Sequence, residues 1–430
     1  MTTTTLLLAA VFVGVAGLLG VYLIPFLIIR LVVRRLSARV GGSNKPFHRS
    51  KLPDHFSREI VCPSPDLLYS VVLFDLTQAP HALHFSFTSP DTYASVSFFD
   101  LSSTNFDFAN NDTIKPGDLF SILLVGPDAV NTAELAASLQ GSPVAIVRSS
   151  FRSGLALLRM FISNKSELPK LIQSQRTLTV TPVSSSGLHL PAPPPSSNSK
   201  TRTTTTEKTV SNRFLLHIGC ASLLLLTLGV QLSSSSLFWP ALVLGVCAAP
   251  LAIYFSQSLG FFSLATPLSR GVWSFNPAVG SEESSLFTKA WVAVFGLLAL
   301  RREEAIYLSA SCDSQGRPLH TRFRYRVTVP KELPAKWWSM TVYDGTRYLV
   351  PNDHASYSVN SDSLSSDVRS VLLSSGAPPE QVGDASASHW ISLGRSERRE
   401  PFVLVLRLYR PRFAVADFLT LDLPVVERID

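Results

Sequence analysis

The stretch Tyr93-Ala94-Ser95-Val96-Ser97-Phe98-Phe99-Asp100 aligns residue for residue with Trp337-Trp338-Ser339-Met340-Thr341-Val342-Tyr343-Asp344. Both stretches suit a β-strand, whose two-residue period places Tyr93, Ser95, Ser97 and Phe99 on one face and the remainder on the other. Both close on an Asp, whose carboxylate commonly starts a turn by accepting from the backbone N–H groups that follow. Upstream, Tyr69 precedes Asp75 by six residues and Tyr307 precedes Asp313 by six. Downstream, residues 119–127 and 402–411 are apolar stretches that both end at a Pro. Three matches in one order read as an internal repeat, two related β-modules in one chain.

Working outward, the first module spans residues 61–183. Residues 67–76, 81–88, 93–101 and 119–125 are rich in β-branched and aromatic side chains and are divided by turn residues such as Gln78-Ala79-Pro80. Helical spacing is read at 132–139 and 155–162. The second module spans 273–430, with a helix over 282–300 and strands at 305–310, 322–329, 337–343 and 402–409. Its polar stretch 356–388 reads as a long surface loop. Between the modules, residues 184–212 carry Pro191-Ala192-Pro193-Pro194-Pro195 and Ser/Thr runs, the composition of a disordered linker. The expected fold class is mainly β (α+β): two related β-sandwich or jelly-roll-like modules plus three transmembrane helices.

Those helices come from apolar runs. Residues 6–29 hold no charge and exceed the about 20 residues needed to cross a bilayer. Arg30, Arg34, Arg35 and Arg39 follow, so residues 1–40 read as an anchor with a basic flank. A cleaved signal peptide would have a basic start, a shorter apolar run and a small-residue cleavage site, none of which is present. Runs at 214–232 and 237–262, divided by the serines 233–236, make residues 213–262 a helical hairpin. The expectation is an integral, multi-pass protein with both modules on one face of the bilayer. The arginine excess points to the cytoplasmic face. The sequons Asn111-Asp112-Thr113 and Asn164-Lys165-Ser166 point the other way.

Composition agrees with a chain partly in lipid. Charged residues make up 16%, against about 25% in soluble proteins. The net charge of +7 is spread along the chain, and no basic stretch is interleaved with aromatics, so no nucleic-acid partner is expected. Cys62, Cys220, Cys247 and Cys312 form no metal spacing and no disulfide framework.

Residues Asp66-Leu67-Leu68-Tyr69-Ser70, Leu73-Phe74-Asp75-Leu76, 93–100 and Asn105-Phe106 resemble the domain-of-unknown-function family 1254. Residues Asn276-Pro277-Ala278-Val279-Gly280, Gly296-Leu297-Leu298-Ala299-Leu300, Glu304-Ala305-Ile306-Tyr307, 337–344, His389-Trp390 and Leu406-Arg407-Leu408-Tyr409-Arg410-Pro411 are similar to its partner family 1214. The resemblance implies two small bacterial-type membrane proteins joined end to end. It departs at the long linker, at the polar 356–388 stretch and at Ser64-Pro65-Asp66, and it implies no biochemical role.

No catalytic residue is assigned. There is no Gly-x-Ser-x-Gly elbow and no Gly-rich phosphate loop. His81 and His84 on one strand send their rings to opposite faces, so no metal is expected, nor any cofactor. Candidate ligand-binding residues are Tyr69, Asp100, Trp338, Tyr343, Asp344, Trp390, Arg407 and Tyr409. The commoner roles are turn-starting for the Asp residues and core packing for the Trp residues. Arg322, Arg324 and Arg326 alternate along one strand face, fit for an anion or lipid headgroup, with a solvated outer face as the commoner role. The expected function is a non-catalytic membrane module, held at the lipid bilayer, that binds a lipid-like or small apolar ligand or a membrane partner protein. The alternative is a membrane-associated, hydrolase-type enzyme using the Asp, Tyr and Arg groups, which requires them to converge on a deep pocket.

Overall fold

A computed structural model describes residues 3–86, 93–111, 119–129, 132–137, 139, 144–162, 164–183, 268–364, 369–376, 378, 389–395, 397 and 399–429, with isolated positions between 224 and 244. The first half contains β1 (Pro46–His48), β2 (Leu67–Asp75), β3 (His81–Ser86), β4 (Ala94–Phe99), β5 (Asn105–Asn110), β6 (Leu119–Val125), α2 (Thr132–Ala137), β7 (Val144–Arg148), β8 (Ser153–Phe161), α3 (Leu168–Gln175) and β9 (Thr179–Pro182). The second contains β10 (Leu268–Arg270), β11 (Trp273–Phe275), α4 (Leu286–Phe295), β12 (Ala305–Ala310), β13 (Tyr325–Thr328), β14 (Ala335–Asp344), β15 (Ser358–Asn360), β16 (Ser370–Ser374), β17 (His389–Ser392), β18 (Phe402–Pro411) and β19 (Val425–Arg428). A single helix, α1 (Thr3–Val40), precedes both.

Each half has a large and a small sheet. Strand order is β1-β2-β8-β4-β5 and β7-β6-β3-β9 in the first, and β10-β11-β12-β18-β14-β15 and β17-β16-β13-β19 in the second. Adding ten to every label of the first half yields the second, and only β10 lacks a counterpart. Even the exceptional parallel pairs correspond, β6 with β7 and β16 with β17. The stretches 93–100 and 337–344 therefore occupy the same place, as β4 and β14. The third sequence match is corrected: β18 corresponds to β8, and β6 to β16. Both β6 and β18 are buried apolar strands, and apolarity with a closing Pro does not identify a strand's place in a sheet.

The four sheets stack in the order small, large, large, small. Leu68, Val96, Phe98 and Leu158 of the first large sheet share a core with Phe85, Phe120 and Ile122 of its small sheet. Trp338, Met340 and Leu406 do the same with Tyr325, Val327 and Val371 in the second half. The remaining faces of the large sheets meet each other, packing Leu67, Tyr93 and Phe161 against Ala305, Trp337 and Tyr409. Phe161 and Trp337 have ring centroids 3.6 Å apart. Burying a ring of phenylalanine size contributes about 1.5–3 kcal/mol. Because both faces of the large sheets are covered, β4, β8, β14 and β18 lose the polar alternation of a half-exposed strand.

Three further expectations change. Residues 155–162 lie almost wholly in strand β8, not a helix. The stretch 356–388, expected as a loop, includes β15 and the central strand β16, whose Val371 and Leu373 are fully buried. Among the described residues one helix, α1, is long and apolar enough to cross a membrane, so three spans and a multi-pass chain are not supported. The expected hairpin 213–262 and linker 184–212 lie largely or wholly outside the described residues. With 38 residues, α1 extends about 57 Å, well beyond the about 30 Å hydrocarbon core. Its excess length docks: Ile29 is buried among Val71, Leu73 and Leu157 of the first large sheet, Ala293 of α4 and Leu297 just beyond it.

The Asn276–Gly280 motif has a steric cause. Gly280 sits at φ +77°, and a Cβ there would lie 2.3 Å from the Leu300 carbonyl oxygen. Gly316 has φ +76° with open space around it. Gly316→Ala should cost about 1 kcal/mol of stability, from backbone strain alone. Gly280→Ala should cost at least about 2 kcal/mol, because the Leu300 segment must also shift. Thermal melting of the two variants tests this, and equal losses would refute the contact with Leu300.

Candidate functional site

Register places two arginines at equivalent points on the facing sheets. Tyr69 of β2 pairs with Arg159 of β8, and Tyr307 of β12 pairs with Arg407 of β18. Ser95 of β4 lies opposite Arg159, and Ser339 of β14 opposite Arg407. Arg159 is 5% exposed and Arg407 2%. Small hydroxyl residues make room beside each guanidinium and accept from it: Ser97 Oγ from Arg159 at 3.1 Å, Thr341 Oγ1 from Arg407 at 3.2 Å.

The remaining donors cross the interface. Arg159 Nη2 donates to the Leu298 carbonyl at 2.6 Å, and Arg407 Nη2 donates to the Cys62 carbonyl at 3.0 Å. Leu298 and Cys62 lie in the loops ahead of β12 and β2, and both have positive φ, 61° and 52°. Each half thus grips a left-handed corner of the other. Arg407 Nη2 also donates to Tyr343 Oη at 2.5 Å.

Acids make a second reciprocal pair. Asp66, just ahead of β2, accepts from Ser358 Oγ at 2.8 Å and Asn360 Nδ2 at 3.3 Å. Glu304, just ahead of β12, accepts from Asn110 Nδ2 at 3.1 Å and from the Tyr93 hydroxyl. Asn110 and Asn360 are equivalent, facing Ser95 and Ser339. Arg410 Nη1 lies 3.4 Å from Glu304 Oε2. Burial raises the pKa of both acids.

Between these contacts lies a cavity of about 150 Å³, walled by Tyr69, Leu157, Arg159, Tyr307, Val405, Arg407 and Tyr409, by Trp291, Val292 and Phe295 of α4, and by Cys62 and Arg347. Burial pushes the Cys62 thiol and the Tyr69 and Tyr307 hydroxyls up, so all three stay neutral near pH 7. Among the described lining residues none is a carboxylate or a histidine.

Of the residues singled out from sequence, Tyr69, Arg407 and Tyr409 line this cavity, and Tyr343 supports Arg407. The others go elsewhere. Asp100 accepts from the Ser102 and Thr104 N–H groups, and Asp344 from those of Thr346 and Tyr348, so both carboxylates are committed to turns. Trp338 lies in the second half's inner core. Trp390 donates to Ser374 Oγ at 2.9 Å beside the His354 ring. Arg322 and Arg324 precede β13, which begins at Tyr325, and Arg322 stacks on the Phe323 ring; only Arg326 is on the strand. Arg159 escaped the sequence analysis because its strand read as a helix. The signal was available: Leu157-Leu158-Arg159-Met160-Phe161 matches Val405-Leu406-Arg407-Leu408-Tyr409. Among the described residues no cluster could hold a metal.

Comparison with known proteins agrees with the two-half organisation. Residues 43–182 match the protein of unknown function family DUF1254, and residues 304–413 match DUF1214. The fold is similar to that of the VPA0106 protein from Vibrio parahaemolyticus, at 14% identity and a TM-score of 0.58, covering 97% of this chain and 100% of that one. An uncharacterized protein from Burkholderia cenocepacia aligns at 12% identity and a TM-score of 0.47, over 97% of this chain and 88% of that one. No curated protein matches the chain.

The buried acids give the interface a pH dependence. With its pKa raised above the ordinary 4.5, Glu304 keeps its proton in the folded chain where the unfolded chain has lost it. Its contribution is full below 4.5 and is lost as pH rises through the raised folded value. The melting temperature should therefore fall over that interval, and fall less steeply in Glu304→Gln. An unchanged slope in the variant would remove Glu304 as a cause.

Proposed function

Since this chain joins a DUF1254 domain to a DUF1214 domain, we propose that it is a membrane-anchored, non-catalytic module that binds a lipid-like or small apolar ligand in the cavity between its halves. The observation that carries this is the cavity's position. Its α4 wall packs directly on α1, so only α4 separates a site with largely apolar walls from the helix that, among the described residues, is long and apolar enough for a bilayer. The volume of about 150 Å³ is comparable to a cavity that takes one benzene, enough for a ring or a short acyl segment, with anything longer extending outward. Each methylene buried there contributes about 0.8 kcal/mol.

The hydrolase alternative needs a general base beside its Tyr and Arg groups. Asp100 and Asp344 are spent on turns, and the described cavity lining offers no other base. A cytoplasmic location for both halves rests on the arginines that follow residue 29. The opposing sequon at Asn111 is weakened, because that side chain is buried and accepts from the Ala94 N–H.

Ser309 is half-buried and lines the cavity, so Ser309→Phe should fill the space with little effect on the melting temperature. Mass spectrometry of the full chain purified in native lipid nanodiscs should find an enriched amphiphile with the wild type and at least about tenfold less with the variant. Equal enrichment in both, or none in either, would sink the proposal.

A further inference from the structure

The two halves repeat their β4–β5 and β14–β15 turns closely, and differ at one telling position. After the turn-starting Asp100 and Asp344, the third residue has φ +67° in one half and +66° in the other. In the first half it is Ser103, whose backbone N–H donates to the Asp100 carbonyl and whose Oγ accepts from the Leu298 N–H. In the second half it is Arg347, with the same backbone bond to Asp344 and with its carbonyl accepting from the Cys62 N–H. A left-handed conformation is unfavourable for a long side chain, and nothing in the turn calls for a guanidinium. Yet Arg347 is 8% exposed, lines the cavity, and has a buried Nε with no hydrogen-bond partner.

We infer that Arg347, flanking Cys62 opposite Arg407, is the receptor for an acidic head group, a carboxylate or a phosphate, on the ligand of this cavity; this rests on the ligand-binding function proposed above. Burying a guanidinium is costly unless an anion or a full set of acceptors compensates it. Arg159 and Arg407 have carbonyl and hydroxyl acceptors. Arg49, the other lining cation, is held by Glu59 at 3.0 Å. Among the described residues Arg159, Arg347 and Arg407 make no ion pair. The nearest carboxylate in sequence, Asp344, directs Oδ1 at Thr346 and Tyr348 and makes no ion pair with Arg347 among the described residues. Buried tyrosines and Cys62 stay neutral. The site therefore holds positive charge within largely apolar walls, and an amphiphilic acid supplies the missing negative charge. Its head meets Arg347 through charge-assisted hydrogen bonds, and its apolar part lies against Trp291 and Phe295.

The test is calorimetric titration of the full chain in amphipol with octanoate, octyl phosphate and 1-octanol. At least one of the two acids should bind about tenfold or more tighter than the alcohol; which one does identifies the head group. Arg347→Ser, which copies the first half's residue, should fold with an unchanged melting temperature, abolish most of that preference and leave octanol affinity within about twofold. Arg347→Lys should retain part of the preference. If octanol binds the wild type as tightly as both acids, or if Arg347→Ser keeps the full preference, the inference is overturned while ligand binding stands. If none of the three probes binds, the ligand-binding proposal itself fails with it.

Discussion

Two buried guanidinium groups, each reaching across to a backbone carbonyl of the other half, set the architecture of this chain. A buried arginine left without acceptors would cost several kcal/mol. The halves therefore have to stay in the one arrangement that brings Leu298 to Arg159 and Cys62 to Arg407. Ser97 and Thr341 are small because a larger residue would displace the guanidinium beside it. Leu298 and Cys62 adopt left-handed backbone because that conformation turns their carbonyls toward the partner half. The aromatic layer of Tyr93, Phe161, Trp337 and Tyr409 supplies apolar burial. Apolar contacts are non-directional, so the arginines add the register that such a layer alone would not fix.

This arrangement also explains which parts of the structure were legible in the sequence. The β4 and β14 stretches were recognisable because every residue in them has a fixed side to face. Odd positions meet the sister half and even positions meet the inner core. The turn-starting Asp residues were recognisable because their chemistry is local. The β8 strand was not. A strand buried on both faces is continuously apolar, and in Leu155–Ile162 that pattern is indistinguishable by period from a buried helix. The same ambiguity paired β18 with β6 in place of β8. The one charged residue within each apolar run was the better guide, since an arginine there is tolerated only where acceptors await it.

The site was half legible for a related reason. Tyr69, Arg407 and Tyr409 were visible because they sit in strands whose partners could be guessed. Arg347 and Cys62 act through turns and through contacts between residues far apart in the chain, and no spacing rule connects them. Their significance depends on an interface that appears only once the two halves are placed face to face.

Duplication with exchange of contacts leaves a testable logic in the molecule. Positions that differ between the halves without a packing reason are where one half has been released from a structural role. Ser103 accepts from the Leu298 N–H through its hydroxyl, whereas Arg347 accepts from the equivalent Cys62 N–H through its carbonyl, so only the Arg347 side chain is released from that contact. At the equivalent place the second half carries a buried cation on left-handed backbone. Asp66 and Glu304 differ too, but both still accept from the equivalent asparagine of the other half, so both remain part of the contact between the halves. Symmetry thus separates the residues that hold the two halves together from the residue that distinguishes them. It sets Arg347 apart, beside the Cys62 whose carbonyl Arg407 already holds in place.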